Sequence, residues 1–336
     1  MADAAVKSRN YTLELCRLVA AVFVVFLHVP FPGEFGALMA CLSRFAVPMF
    51  FAISGYYSYR TKPGKLLRRA GRIWLLELAG IGLTLIWKCV KGSYEGVRIV
   101  DSLLWRIPDK AALIRWVTFQ VDPFAGHLWY LSAAAVCYVL LAGYVRIFGR
   151  RNYRPLYWLS ASLLAVFFAL SELSDFTGFR VDYTVYRSAW FFGLPMFSMG
   201  LMLRQLREGF TPEAKRTALL PLLLTMLGFG LSIVEWKLLG GWDLYLGTVI
   251  AAAGLLLLTA ARPNVPHWLE GFAACCGTLS TGIYLIHLIV NEVYGYFFSW
   301  KLELSQQQIP LVIVAVSLVL STVVCIVKAV FKAIKR

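Results

Sequence analysis

Residues 13–29 read LELCRLVAAVFVVFLHV, and this apolar run decides the fold. Two ionisable side chains interrupt it, Arg17 near its start and His28 near its end. Eleven helical positions turn through about 1100°, within about 20° of three full turns, so the two side chains are expected on one face, about 16 Å apart. An arginine inside a membrane helix costs roughly 3 kcal/mol and usually faces the bundle interior or a watery cavity. The simpler alternative is that Arg17 reaches the lipid headgroups and His28 is a hydrogen-bonded core histidine.

The composition is that of a helical membrane protein. Of the 336 residues, 60% are hydrophobic and 15% are charged, and the mean hydropathy is +0.69. Soluble domains do not have this balance. Backbone groups in lipid must be paired within their segment, and the apolar runs are continuous rather than alternating, which favours helices over a β-barrel. The predicted fold class is an all-α, polytopic membrane protein with one domain over residues 1–336.

Runs of about 20 apolar residues predict about ten transmembrane helices. They cover residues 12–30, 38–59, 73–90, 127–146, 155–172, 188–204, 217–237, 243–261, 278–298 and 309–330. Most of the 33 lysines and arginines fall in alternate connections, which places both termini in the cytoplasm by the positive-inside rule.

Two other segments bear on the topology. Lys7 and Arg9 precede the first run without a convincing small-residue cleavage site, so an uncleaved first span is expected. The long outer connection 91–126 mixes apolar residues, Trp105 among them, with charged ones. This pattern is typical of helices lying in the membrane interface, although a partly buried loop helix fits it equally well.

The second predicted span carries an unusual pattern, RFAVPMFFAISGY, over residues 44–56. Arg44 is too deep to reach the headgroups easily. Pro48 predicts a kink that frees a backbone carbonyl. Gly55 lies eleven positions after Arg44, so it shares that face and permits close approach of a neighbouring helix or a ligand; helix packing alone explains such small residues as well.

Four further polar residues stand out beside these. His127 opens the fourth span in HLWYL, Glu235 ends the seventh, and Arg69 and Arg72 lie in the basic loop KLLRRAGR. The predicted topology places His28, Arg44, His127 and Glu235 in the outer half of the membrane. It places Arg17, Arg69 and Arg72 at the inner face. A polar pocket above an anion site is therefore predicted, although a basic loop also serves topology and binds anionic lipid.

The positions of the basic residues and of the cysteines argue against a nucleic-acid partner and against a metal site. The net charge of +15 could suggest nucleic acid, but the basic residues cluster between the apolar runs, which predicts contact with membrane lipids and no nucleic acid. The seven cysteines form no CxxC pair, and most lie in apolar runs. We therefore expect no metal site and no disulfide framework.

These stretches resemble the acyltransferase-3 family of multispanning membrane proteins over about residues 12–290. Arg17 and His28 match its first-helix motif, and residues 44–56 match its second-helix stretch. The pair Arg69 and Arg72, the run 127–131 and YLIH at 284–287 match other signatures of the family.

The resemblance implies ten helices and an O-acyltransferase of a bacterial inner (plasma) membrane. Its donor would be cytoplasmic acetyl-CoA, and its acceptor a glycan or lipid-linked sugar at the outer face. By the resemblance His28 is catalytic, Arg44 and Glu235 support the site, and Arg17, Arg69 and Arg72 serve the donor. Histidine has a reference pKa of about 6.5 and suits general-base chemistry, and Arg44 or His127 is a candidate to stabilise the oxyanion. Whether His28 is a base or carries the acyl group is left open by the sequence, as are the acceptor and the acyl chain.

A second activity fits the same motifs. The chain is also similar to the membrane domain of VanT-type serine racemases, which is thought to move serine outward. Arg44 and Glu235 would then hold the carboxylate and the ammonium of an amino acid. Amino-acid transport is therefore kept as the alternative to acyl transfer.

Overall fold

The computed structural model describes residues 9–104, 109–177, 182–240 and 243–334. Within these ranges every regular element is a helix and no strand occurs, which confirms the all-α prediction. Lys7 and Trp105, which entered the sequence predictions, lie outside the described residues.

The helices follow one another with short connections. In chain order they are α1 (Tyr11–His28), α2 (Gly33–Ser43), α3 (Ala46–Tyr56), α4 (Pro63–Tyr94), α5 (Ile99–Leu104), α6 (Lys110–Phe119), a 3₁₀ turn (Gly126–Leu128), α7 (Trp129–Phe148), α8 (Arg154–Thr177), α9 (Tyr183–Tyr186), a π segment (Ala189–Gly193), α10 (Leu194–Glu208), α11 (Pro212–Arg216), α12 (Leu219–Leu239), α13 (Leu246–Ala261), α14 (His267–Val293), a second π segment (Tyr294–Phe298) and α15 (Ile309–Ile334).

Each of the ten predicted spans overlaps one or more helical segments. Among the described residues, seven helical stretches are long and apolar enough to cross a membrane. They are Tyr11–His28, Gly33–Tyr56, Pro63–Tyr94, Gly126–Phe148, Leu219–Leu239, His267–Phe298 and Ile309–Val327. Two shorter apolar helices, Arg154–Leu170 and Leu246–Ala261, fall at further predicted positions. The chain is thus a multi-pass membrane protein, while the count of ten and the side on which the termini lie stay predictions.

The chain divides into two compact units. The first unit comprises residues 1–49 and 209–336, and the second comprises residues 50–208. The division falls inside α3, between Met49 and Phe50. That residues 1–336 form one domain stays a prediction.

The first unit is built on two helix pairs, α1 with α14 and α12 with α13. Asn10 caps α1 by accepting a hydrogen bond from the Leu13 N–H at 2.9 Å. The α12–α13 pair meets backbone to backbone, because a Cβ on Gly254 would lie 2.6 Å from the Thr225 nitrogen. Gly228 and Gly247 are equally confined by backbone of the facing helix. Small residues allow this close approach, which is how many membrane helices associate.

In the second unit α4 packs along α7, and the end of α3 packs against α10. A Cβ on Gly55 would collide with the Phe197 carbonyl, and one on Gly200 would collide with the Ala52 carbonyl. Gly55 therefore permits the close helix approach that its position predicts.

The helix of the second predicted span is interrupted at Arg44 and Phe45. Helix α2 ends at Ser43 and α3 begins at Ala46. Pro48 explains the position of the break, because a proline lacks the N–H for the carbonyl four residues earlier and its ring clashes with that carbonyl. The carbonyl concerned belongs to Arg44. The arginine thus lies in the turn between α2 and α3.

Candidate active site

His28 ends α1, the helix that also carries Arg17. The helix is continuous from Tyr11 to His28, as the shared-face prediction requires. His28 is exposed, so its ring is accessible to a substrate. Arg17 is partly exposed, and its Nη1 lies 3.5 Å from Oε2 of Glu14 one turn earlier. Arg17 thus has an acidic neighbour on its own helix, Glu14, which is not among the predicted site residues.

A second histidine stands beside His28 in the first unit. The ring centroids of His28 and His287 are 5.2 Å apart, with the planes inclined by 41°. His287 is completely buried on α14, and its Nδ1 faces the carbonyl oxygens of Ile283 at 3.0 Å and Tyr284 at 2.9 Å. The sequence marked His287 as part of a family signature but gave it no role. Only the packing of α1 against α14 reveals its proximity to His28.

Arg44 is held by an acidic partner in the connection between α12 and α13. Its Nη1 donates to Oδ1 of Asp243 at 2.9 Å, and both side chains are about one-fifth exposed, at 20% and 21%. The guanidinium also lies over the ring of Tyr245, 5.9 Å from its centroid. Tyr245 is buried and donates its hydroxyl to the Gly240 carbonyl at 2.7 Å. Arg44 is therefore fixed from two sides.

Both carboxylate oxygens of Glu235 accept hydrogen bonds from backbone N–H groups. The donors are the N–H groups of Leu246 at 3.1 Å and Gly247 at 2.8 Å. Those groups belong to the first turn of α13, where a carboxylate satisfies unpaired N–H groups and the helix dipole. Glu235 therefore fixes the end of the connection that carries Asp243. The predicted supporting role of Glu235 is compatible with this geometry, but the carboxylate facing Arg44 is that of Asp243.

His127 belongs to the second unit, in the 3₁₀ turn that leads into α7. A buried aspartate shapes the chain before it. Oδ1 of Asp122 accepts from the N–H groups of Phe124 at 2.7 Å and Ala125 at 3.2 Å. Burial raises the pKa of the Asp122 carboxyl, and these two hydrogen bonds partly oppose the rise. The turn that presents His127 is thus set by a carboxyl group that is costly to ionise.

The two predicted donor arginines of the second unit differ in their surroundings. Nη1 of Arg69 donates to the Tyr57 carbonyl at 2.9 Å and to Oγ of Ser58 at 3.1 Å. Arg72, one turn later on α4, lies on an exposed face of the helix. Arg69 is therefore held in position, and Arg72 is accessible to an anion or to lipid.

A further basic group in the second unit surrounds a tyrosine. Arg204 and Arg207 on α10 both donate to the Tyr56 hydroxyl, at 3.4 Å and 3.1 Å. Arg60 pairs with Glu208 at 3.0 Å. In the sequence these two arginines belong only to the general excess of basic residues in alternate connections, because their common contact depends on the packing of α3 against α10.

A buried carboxylate in α4 was also missed. Glu77 is 1% exposed, and its Oε1 accepts the hydroxyl hydrogen of Ser132 on α7. The indole N–H of Trp116 donates in turn to Oγ of Ser132 at 3.4 Å. The signal in the sequence was a single glutamate inside the apolar third span. A charge there is expensive, and so it is a candidate for a role.

Comparison with known proteins decides the family. A family model described as an acyltransferase domain, of the acyltransferase-3 type, matches residues 10–330. The chain belongs to the acyltransferase-3 family. It is therefore a membrane acyltransferase by family, as the sequence motifs indicated. Searches of curated proteins and of solved structures return no match.

The predicted site residues are divided between the two units. His28, Arg44, Glu235 and Arg17 lie in the first, and His127, Arg69 and Arg72 lie in the second. Within the first unit the structure brings His28 to His287 and Arg44 to Asp243. In the described ranges no three His, Cys, Asp or Glu side chains are grouped to hold a metal, and the absence of a metal stays an expectation.

Proposed function

We propose that the protein is a bacterial plasma-membrane O-acyltransferase that moves an acetyl or other acyl group from cytoplasmic acetyl-CoA to a hydroxyl of a cell-surface glycan or lipid-linked sugar. The observation that supports this most is the exposed imidazole of His28, at the end of an apolar helix in a chain of the acyltransferase-3 family. A histidine is the side chain most often used to move protons near neutral pH.

In the proposed reaction His28 accepts the proton of the acceptor hydroxyl. The hydroxyl oxygen then forms a bond to the thioester carbonyl carbon, and the carbon–sulfur bond breaks. The protonated His28 returns the proton to the thiolate, so the reaction is balanced without any further reactant. An alternative first step transfers the acyl group to His28 itself, and acid-quenched mass spectrometry of the protein distinguishes the two.

Arg44 is proposed to stabilise the negative charge that develops on the carbonyl oxygen. A fixed donor is worth most for this purpose because it need not reorganise during the reaction. The salt bridge to Asp243 and the contact with Tyr245 hold the guanidinium in one place. His127 is proposed as the alternative to Arg44 for this task, and Glu235 as the residue that fixes the connection bearing Asp243.

The donor phosphates are proposed to bind Arg17, Arg69 and Arg72. Arginine forms forked, charge-assisted hydrogen bonds to phosphate. Two observations support the assignment. Arg69 is oriented by Tyr57 and Ser58, and Arg72 lies on an exposed face of α4.

Amino-acid transport is the second candidate, and one observation favours it. Arg44 and Asp243 offer a guanidinium and a carboxylate side by side. These are the charges that complement the carboxylate and the ammonium of serine. In this scheme a substrate would exchange the internal salt bridge for its own two charged groups.

One experiment separates the two candidates. Purified protein in lipid nanodiscs is titrated with acetyl-CoA by calorimetry, and free CoA is measured over time. The same preparation in proteoliposomes is tested for uptake of labelled serine. Binding and slow release of CoA are expected, together with an acylated surface glycan in cells that contain the protein. Saturable serine uptake without acetyl-CoA binding would overturn the acyltransferase proposal.

A further inference from the structure

His287 lies beside His28 and has no surface that a substrate could reach. It lies on α14 with no exposed surface, and its ring stands 5.2 Å from that of His28. His28 is exposed, so one face of the pair is accessible and the other is buried. Functional side chains are commonly held in position by hydrogen bonds to a polar side chain buried behind them.

The hydrogen bonds of His287 fix which of its nitrogens carries the hydrogen. Nδ1 lies within 3.0 Å of the Ile283 carbonyl oxygen and 2.9 Å of the Tyr284 carbonyl oxygen. Carbonyl oxygens only accept hydrogen bonds, so Nδ1 must be the donor. In a neutral ring Nε2 then carries the lone pair and accepts. The two carbonyls belong to the same helix as His287, so this tautomer is built into α14.

We propose that His287 is a positioning residue for His28. The proposed contact is a hydrogen bond from one N–H of His28 to Nε2 of His287, which forms when the exposed His28 ring turns toward α14; the structure shows the two rings 5.2 Å apart but not this bond. The lone pair of the other His28 nitrogen is then directed to the acceptor hydroxyl. A single tautomer of His28 is then present before the substrate arrives. This inference rests on the proposed function, because it assigns His28 the task of general base.

The alternative is that His287 only fills space between α1 and α14. The two roles differ in what a substitution changes. A space-filling ring is replaced by phenylalanine with little effect on His28. A hydrogen-bond acceptor is replaced by glutamine, whose side-chain oxygen still accepts, but not by phenylalanine.

The first test is spectroscopic and needs no activity. The chain has four histidines, so ¹⁵N-histidine labelling in lipid bilayers gives four ring systems, which single substitutions assign. We expect His287 as the Nδ1–H tautomer and His28 as one tautomer. His287→Phe should give His28 a mixture of tautomers, and His287→Gln should restore the single form. Unchanged His28 signals in His287→Phe would overturn the inference.

His267 supplies the control. It lies at the start of the same helix, with its side chain 98% exposed. His267→Phe removes a histidine from α14 without touching the His28 surroundings. Its His28 signals should equal those of the unmodified protein.

The second test is kinetic. CoA release from acetyl-CoA is followed against pH for the unmodified protein and for His287→Phe, His287→Gln and His267→Phe. In His287→Phe we expect kcat to fall about 10-fold or more, with a changed pH profile and an unchanged KM for acetyl-CoA, since an orienting group acts on the chemical step. Glutamine should recover part of the loss.

The outcomes separate this inference from the proposed function. If the unmodified protein neither binds nor cleaves acetyl-CoA, the proposed function fails, and the spectra still decide whether His287 sets the tautomer of His28. If the unmodified protein is active and His287→Phe keeps its kcat and pH profile, the inference fails while the proposed function stands. Equal losses in the glutamine and phenylalanine variants, in proportion to lost folded protein, would also overturn it.

Discussion

Nη1 of Arg44 and Oδ1 of Asp243 are 2.9 Å apart, although 199 positions separate the two residues in the chain. The pair connects the broken second span to the connection between α12 and α13. With about one-fifth of each side chain exposed, the two charges are shielded from water more than a surface pair is. Removing one partner therefore leaves the other charge poorly compensated.

The first prediction concerns this pair. Arg44→Gln and Asp243→Asn should each lower CoA release, and the double variant should lose less than the product of the two. A coupling of about 1 kcal/mol is typical of residues in direct contact. A double-mutant cycle on kcat/KM measures it. Fully multiplicative losses would show that Asp243 does not act through Arg44.

The second prediction concerns His28. His28→Ala should lower acyl transfer by about 10²–10⁴-fold, the contribution expected of a general base. Expression and membrane insertion should be unchanged, because His28 is exposed at the end of its helix. The matched control is His267→Ala. Acylation close to normal in His28→Ala would refute the catalytic role.

The third prediction concerns donor binding. Arg69→Ala and Arg72→Ala should weaken acetyl-CoA binding, and the weakening should be larger at low salt, where partly exposed charges interact more strongly. Calorimetry at two ionic strengths measures the effect. Arg146→Ala is the control, because Arg146 is an exposed cation in the last turn of α7. An equal effect of all three substitutions would indicate a general charge effect rather than a binding site.

The fourth prediction concerns pH and stability. Asp122 has a pKa that burial raises in the folded protein, so its stabilising contribution is present below the unfolded pKa and is lost as the pH rises through the folded value. In Asp122→Asn the side-chain oxygen still accepts from Phe124 and Ala125, and no charge forms. The variant should therefore gain stability relative to the unmodified protein as the pH rises. Melting temperatures of both proteins from about pH 4 to pH 8 test this. A pH-independent difference would contradict it.

The fifth prediction concerns helix packing. Gly200→Ala should lower the melting temperature, because the added Cβ collides with the Ala52 carbonyl, and overpacking typically costs about 1–3 kcal/mol. Gly143→Ala is the matched control, since nothing lies within 4 Å of a Cβ at that position on α7. Thermal unfolding followed by size-exclusion chromatography compares the two. Equal melting temperatures would contradict the close packing of α3 against α10.

The sequence alone predicts those features of the fold whose physical cause lies within one segment of the chain. Apolar runs of membrane length gave the helices, and the family signatures gave the family, which the match over residues 10–330 confirms. Pro48 predicts a kink, and in the structure the helix is interrupted for two residues, Arg44 and Phe45. Proline predicts the lost hydrogen bond, but whether the chain bends or breaks depends on its neighbours.

Partners distant in the chain could not be predicted. The supporting role of Glu235 stays a prediction: its oxygens cap α13, and the carboxylate that faces Arg44 is that of Asp243. Glu235 lies at the end of the seventh apolar run and Asp243 at the start of the eighth, and the sequence does not rank them. The contact of His287 with His28 depends likewise on how α14 packs against α1.

The close packing of α12 against α13 has a practical consequence for measuring motion. Two helices that meet through the backbone at Gly228, Gly247 and Gly254, with Glu235 capping one from the other, have little room to slide. Spin labels on the exposed side chains of Val234 and Leu246 should therefore keep one narrow distance distribution whether or not a substrate is present. The distance between these two labels then serves as a constant reference. A third label on α1 measures, relative to it, any substrate-dependent displacement of His28.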